Sequence, residues 1–208
     1  MDYSQYKQLE LRRKFWKFFG AEIRILEPSS GTVVGFIKMK AWKLREDVRL
    51  YTDSSMSQEV LAIHARQIID FGATYDVTNS STGEALFSLS RKGFRSAFLR
   101  DKWEILDPSG AVVGTVLETS GILALVRRWV GLINDLLGLI FAFVPETYEV
   151  TYAADGSQPV LIARLIHRKN PFVVKMGVDM SMATGTLNAD ISVASAAMLS
   201  IMDASKNN

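Results

Sequence analysis

The sequence predicts an α+β fold: a closed antiparallel β-barrel around a buried C-terminal hydrophobic helix. Three observations point there. A strand–turn–strand unit recurs with starts near 22, 48, 75 and 103, a spacing of about 27 residues. With the later hairpin and a last strand, the alternating segments make at least eleven strands, and a sheet of that many closes or splits. The chain then ends in an apolar stretch, Leu187 to Ser205, with no Gly or Pro.

Taken in order, residues 1–19 are an N-terminal amphipathic segment. Tyr6 to Phe19 (YKQLELRRKFWKFF) is basic and aromatic. Drawn as a helix, it brings Leu9, Arg13, Trp16 and Lys17 together, and it suits either an interfacial helix or a plug at one barrel end. Residues 20–208 form a single domain. Its hairpins are Glu22–Ile37 (EIRILEPSSGTVVGFI), Val48–Arg66, Tyr75–Leu89 (YDVTNSSTGEALFSL), Trp103–Leu117 (WEILDPSGAVVGTVL) and Tyr148–Leu165 (YEVTYAADGSQPVLIARL), followed by a strand at Phe172–Met180. Alternation puts Ile23 and Ile25 on one face and Glu22 and Arg24 on the other. Gly31, Gly83, Gly110 and Gly156 follow Ser, Thr or Asp, where a hairpin turn needs a residue tolerant of positive φ.

Near 120–145 lies an apolar helical insertion. Gly121 to Val144 is about long enough to span a bilayer. Arg127, Arg128, Asn134 and Asp135 lie within it, and each central charge costs about 2.5 to 3.5 kcal/mol on insertion. It reads as a buried or interfacial helix. In the final stretch, Asn188 or Asp190 is placed to cap a first turn, and Ile191, Val193, Ala194, Met198, Leu199 and Ile201 fall on every side. A slim helix that is apolar all round belongs inside something, and the barrel is what is available.

The pattern resembles the tubby C-terminal-like superfamily, in its scramblase-related and LURP-one-related branch. The residues that carry it are IHARQIIDFGATYDVTNSSTGEAL (63–86), SRKGFRSAFLRDKWEILDPSGAVVG (90–114), VPETYEV (144–150) and ADISVASAAML (189–199). The resemblance implies a twelve-stranded barrel threaded by a hydrophobic C-terminal helix. It also implies a lipid-linked role, since tubby-like members bind phosphoinositides through basic strand residues and scramblases are linked to calcium-dependent lipid movement. Several scramblase features are missing: the proline-rich amino-terminal arm, a cysteine run for palmitoylation, and an acidic calcium loop near Asp179.

Composition narrows the function classes. The chain has no cysteine, which removes disulfides, thiol nucleophiles and Cys-based zinc sites. A net charge of +2, from 24 basic and 22 acidic residues, gives no whole-protein field for nucleic acid, and no nucleic-acid partner is expected. The first residues carry no apolar secretory signal, so a cytoplasmic location is expected, peripheral to a membrane where the basic segments touch one. Only His64 and His167 are present, both within strands and without HxH or HxxxH spacing. No phosphate loop or nucleophile elbow occurs. Glu46 and Asp47 read as solvated acids in a turn. No enzyme, metal site or cofactor is expected.

What remains is charge at the surface. Period-two alternation turns Lys38 and Lys40 outward while Ile37 and Met39 point in, and Lys43 and Arg45 extend the patch. These four are the candidate lipid-headgroup residues; each contributes about 1 kcal/mol at an anionic surface. Lysines on a strand edge also serve simply to discourage edge pairing. Arg12, Arg13 and Trp16, with Arg127, Arg128 and Trp129, are the candidate interfacial residues. A second cluster, Arg91 to Arg95 with Arg100 and Lys102, reads as a structural turn. The expected function is a non-catalytic membrane-surface or phospholipid-headgroup binding module, with anionic phospholipid as partner. The alternatives are a protein-interaction module docking through 120–145 and, more weakly, a phospholipid scramblase. A lipocalin-like carrier would need the hollow interior that the helix fills.

Overall fold

The computed structural model describes residues 2–14, 21–39, 47–69, 72–91, 102–119, 145–154, 156–168 and 173–206. Twelve strands form one closed barrel: β1 Gln8–Lys14, β2 Ala21–Leu26, β3 Val33–Met39, β4 Asp47–Tyr51, β5 Glu59–Ile69, β6 Gly72–Asn79, β7 Ala85–Arg91, β8 Lys102–Leu106, β9 Val112–Glu118, β10 Glu146–Tyr152, β11 Val160–Arg168 and β12 Val173–Asp179. Each strand pairs antiparallel with its neighbours in sequence, and β1 closes the ring against β12. A helix α1, Gly185–Lys206, follows.

Local chemistry sets the hairpins. Gly31, Gly83, Gly110 and Gly156 all adopt positive φ, between 70° and 89°. In the first and third hairpins the glycine N–H returns to the carbonyl four residues back, Gly31 to Glu27 and Gly83 to Asn79, both at 2.8 Å. A turn closing on a left-handed residue matches the twist of the strands it joins. The longer Thr52–Gln58 connection is held by Asp53, whose carboxylate accepts from Ser55, Ser57 and Thr52 and is drawn down to about 2 by those hydrogen bonds.

The lumen is filled, not hollow. Inward positions such as Ile23, Ile25, Ile37, Leu50, Ile63, Leu89 and Ile105 are closed to solvent, and so are Ala189, Ile191, Val193, Ala194, Ala196 and Ala197 of α1. Small side chains let the helix fit where strands approach from all sides. Ser192 and Ser200 are also buried. Their hydroxyls donate to the carbonyls of Asn188 and Ala196, one turn back, so they cost little inside. The gap among Leu89, Trp103, Val116, Ser195, Met198 and Leu199 has no room for a water molecule.

Three expectations are corrected. The helix drawn over Tyr6–Phe19 is, over Gln8–Lys14, the strand β1. Leu9 and Leu11 are buried while Glu10 and Arg12 between them face out, a period of two that the aromatic residues beyond obscure. Residues 8–14 of that segment are therefore a strand of the barrel. Neither Asn188 nor Asp190 caps the helix. Gly185, at a φ of 74°, turns the chain inward two residues before the apolar run begins. Asn188 then donates to Thr184 at 3.2 Å, and Asp190 is buried. Asp47 is not a merely solvated acid: it starts β4 and accepts from Arg49 at 2.9 Å, with His64 Nδ1 at 3.6 Å.

Candidate anionic-surface site

Strand pairing runs across the chain, so residues remote in sequence line up on the outer wall. Arg24 on β2 stands opposite Arg12 on β1, Arg12 opposite Lys175 on β12, and Lys175 opposite Arg168 on β11. Four cations thus share one row over four adjacent strands, about 14 Å across at the usual strand spacing. Arg12, Arg24 and Arg168 are exposed and Lys175 is half-buried. On β3, one step off the row, exposed Lys38 stands opposite Glu22.

Like charges directly opposite one another destabilise a sheet. At about 5 Å in water each such pair repels by roughly 0.8 kcal/mol. Two of the four are offset locally: Arg12 bonds Glu10, and Arg24 reaches Glu22 at 3.2 Å. Lys175 and Arg168 have no acidic partner among the described residues. Their neighbour Arg164, four residues before Arg168 on β11, is engaged by Glu149 at 3.3 Å. The row therefore keeps a net positive charge, with its uncompensated half on β12 and β11.

Other polar groupings are self-contained. Asp47, His64, Asp76 and Ser88 form an outer row over β4 to β7. Burial alone would raise the Asp76 carboxyl, but hydrogen bonds from Arg66, at 2.9 and 2.6 Å, and from Ser88, at 2.7 Å, hold it below its ordinary value. A carboxylate so fully occupied is a clasp between strands. Arg49 is likewise held charged by Glu59 first and Asp47 second. Arg91 lies over the Trp103 ring, 5.8 Å from its centre. His167 is buried with Nδ1 3.5 Å from Glu146. No group of three potential metal ligands occurs among the described residues.

The sequence-derived candidates distribute as follows. Lys38 and Arg12 lie on the outer wall as described. Arg13 is only 6% exposed and points into the barrel, because consecutive residues of a strand face opposite sides; it is not an interfacial residue. Lys40, Lys43, Arg45, Trp16, Arg127, Arg128 and Trp129 lie outside the described residues, as do the insertion and the 92–100 turn. Arg24, Lys175 and Arg168 were not singled out by sequence, since no two of the row's cations are close along the chain.

A family model described as LURP-one-related matches residues 33–199. The chain belongs to the LURP-one-related family. This places it in the tubby C-terminal-like superfamily, in keeping with a twelve-stranded barrel around one C-terminal helix. No curated protein matches it. The LURP-one-related match begins at β3, so Lys175 and Arg168 fall within it while Arg12 and Arg24 precede it. No described helix of this LURP-one-related chain is long and apolar enough to cross a membrane.

Proposed function

We propose that this LURP-one-related barrel is a non-catalytic module that binds anionic phospholipid headgroups at a membrane surface. The observation that carries the reading is the cationic row Arg24–Arg12–Lys175–Arg168, half of it without acidic partners among the described residues. Repulsion along such a row falls when an anion sits on it, and arginine adds a planar fork suited to phosphate oxygens. A barrel wall is convex, so a flat membrane meets the central pair, Arg12 and Lys175, first. Arg24 and Arg168 act from within a Debye length of about 8 to 10 Å. In the antiparallel barrel β1 ends, β2 begins, β9 ends and β10 begins on the same rim.

Vesicle flotation tests this. The protein should float with vesicles containing phosphatidylserine and stay behind with pure phosphatidylcholine. At about 1 kcal/mol per cation, the double reversal R12E/K175E should weaken binding by about 30-fold or more. Salt near 1 M, where the screening length is about 3 Å, should release the protein. Equal flotation with neutral and charged vesicles, or a folded double variant that binds as wild type does, would sink the reading.

A further inference from the structure

One glycine on the barrel wall has no structural reason to be a glycine. Within a strand, glycine weakens the sheet and marks a bulge, a close approach by other atoms, or a place where a ligand comes near the backbone. Gly35 and Gly114 are close approaches: a Cβ at the first would lie 3.0 Å from the Tyr3 hydroxyl, and at the second 2.2 Å from the Thr151 carbonyl oxygen. Gly177 on β12 is no such case. Its φ is not positive, and the pairing of β12 with β1 and with β11 runs through it without a shift of register. A Cβ there would have nothing nearer than the Ile166 carbonyl oxygen at 3.8 Å. Met176 and Val178 on either side point into the core, so the missing side chain leaves a notch in the outer wall.

Strand register fixes what surrounds the notch. Along β12 stand Lys175 and Asp179, and directly across are Glu10 on β1 and Ile166 on β11. The diagonal positions are Arg12 and Gln8 on β1 and Arg168 and Arg164 on β11. Such diagonals are about 7 to 8 Å away, within reach of long side chains. Four cations thus ring one empty position, against two carboxylates. The Glu10 carboxylate is held by Arg12, and Asp179 Oδ1 accepts from the Ser181 N–H at 3.0 Å. Arg164 is drawn to Glu149 at 3.3 Å, and with that acid counted too the ring remains positive. Side chains splay apart on a convex wall, so these cations converge best on an anion seated low, against the backbone. A residue without a side chain allows that approach.

We propose that the notch over Gly177 is the seat of a phosphomonoester, held by Lys175 and Arg168 first and by Arg12 and Arg164 from the flanks. A monoester approaches two negative charges near neutral pH and answers an excess of cations better than the single charge of a diester. An arginine fork matches two of its oxygens. Half-buried Ile166 gives the carbon stem of the ester an apolar edge to lie against. That the phosphate belongs to a lipid rests on the surface reading above; the seat itself does not.

Backbone amide shifts, followed while glycerol 3-phosphate is added at constant ionic strength, test the seat. The Lys175, Gly177 and Arg168 amides should move and saturate in wild type and stay still in G177V, which fills the notch and removes no charge. In flotation with vesicles matched in surface charge, wild type should bind phosphatidic acid, a monoester, about tenfold more tightly than phosphatidylserine, the worth of one further charge-assisted hydrogen bond. G177V should bind the two alike, and G177A, with one methyl in the notch, should fall between. Near-ultraviolet circular dichroism matching wild type shows that both variants are folded. Saturating shifts without flotation on either vesicle would keep the seat, as one for a soluble monoester, and end the membrane reading. Wild-type shifts that never saturate, shifts unchanged in G177V, a wild type that floats equally with both lipids, or a preference for phosphatidic acid that survives G177V would each overturn the seat.

Discussion

A chain ended before Gly185 is expected to yield no folded monomer. The reason is geometric. The lumen is lined by side chains with no solvent exposure from strands all round the ring, among them Ile23, Ile37, Leu50, Ile63 and Leu165, and the buried residues of α1 belong to the same hydrophobic cluster. A helix backbone with small side chains occupies a cylinder roughly 10 Å wide. Removing it leaves either water against a fully apolar wall or a collapse that breaks the strand register. Each large buried side chain left facing a void costs about 2 to 5 kcal/mol. A few such losses exceed the 5 to 15 kcal/mol that typically holds a domain together. The truncated chain should show lost near-ultraviolet circular dichroism, retained strand signal and strong binding of a hydrophobic dye, as expanded collapsed states do. Cooperative unfolding of a truncated, monomeric barrel would mean that the lumen can stand open, and would return a carrier of small hydrophobic ligands to consideration.

Most of that architecture is legible in the sequence because its signals are local. The hairpins announce themselves through alternation and through a turn cluster ending in glycine, and the four turn glycines adopt the conformation that their position requires. The helix is legible because no amphipathic surface helix is so uniformly apolar and so poor in bulk. The strand β1 was hidden because its partner β12 lies at the other end of the chain, and because its two inward leucines are followed by aromatic and basic residues at helical spacing. The same closure explains the cationic row. Sequence reading finds charges that neighbour one another along the chain, as Lys38, Lys40, Lys43 and Arg45 do. A row across strands draws one residue from each, and only register reveals it. Arg13 shows the opposite error: next to Arg12 in sequence, it belongs to the other face of the wall.

Gly114→Ala should be among the most damaging single substitutions outside the helix, although nothing in its sequence context, VVGTV, marks it. Its backbone is not in the left-handed region, so the objection is to volume and not to conformation. A Cβ at Gly114 would lie 2.2 Å from the Thr151 carbonyl oxygen and 3.1 Å from both Tyr152 Cα and Ile105 Cδ1. The first is backbone, and it cannot swing away as a side-chain tip could. Nor can the strands slide. The Ala153 N–H bonds the Val113 carbonyl at 2.7 Å, the Thr119 N–H bonds the Thr147 carbonyl at 2.8 Å, and the Thr115 and Thr151 hydroxyls meet at 3.1 Å. β9 is pinned on its other side by a bulge against β8 at Ile105/Leu106. Relief must come from distorting the β9–β10 pair, in the range of overpacking costs and upwards, about 3 kcal/mol or more. For a chain of this size that is a fall in Tm of about 6 to 12 °C. Gly177 supplies the comparison: a Cβ there meets nothing nearer than the Ile166 carbonyl at 3.8 Å. G177A should therefore unfold within about 1 kcal/mol of wild type in urea. A G114A protein as stable as G177A would show that the β9–β10 pair yields easily, and that the close approach at Gly114 is not what fixes the barrel at this seam.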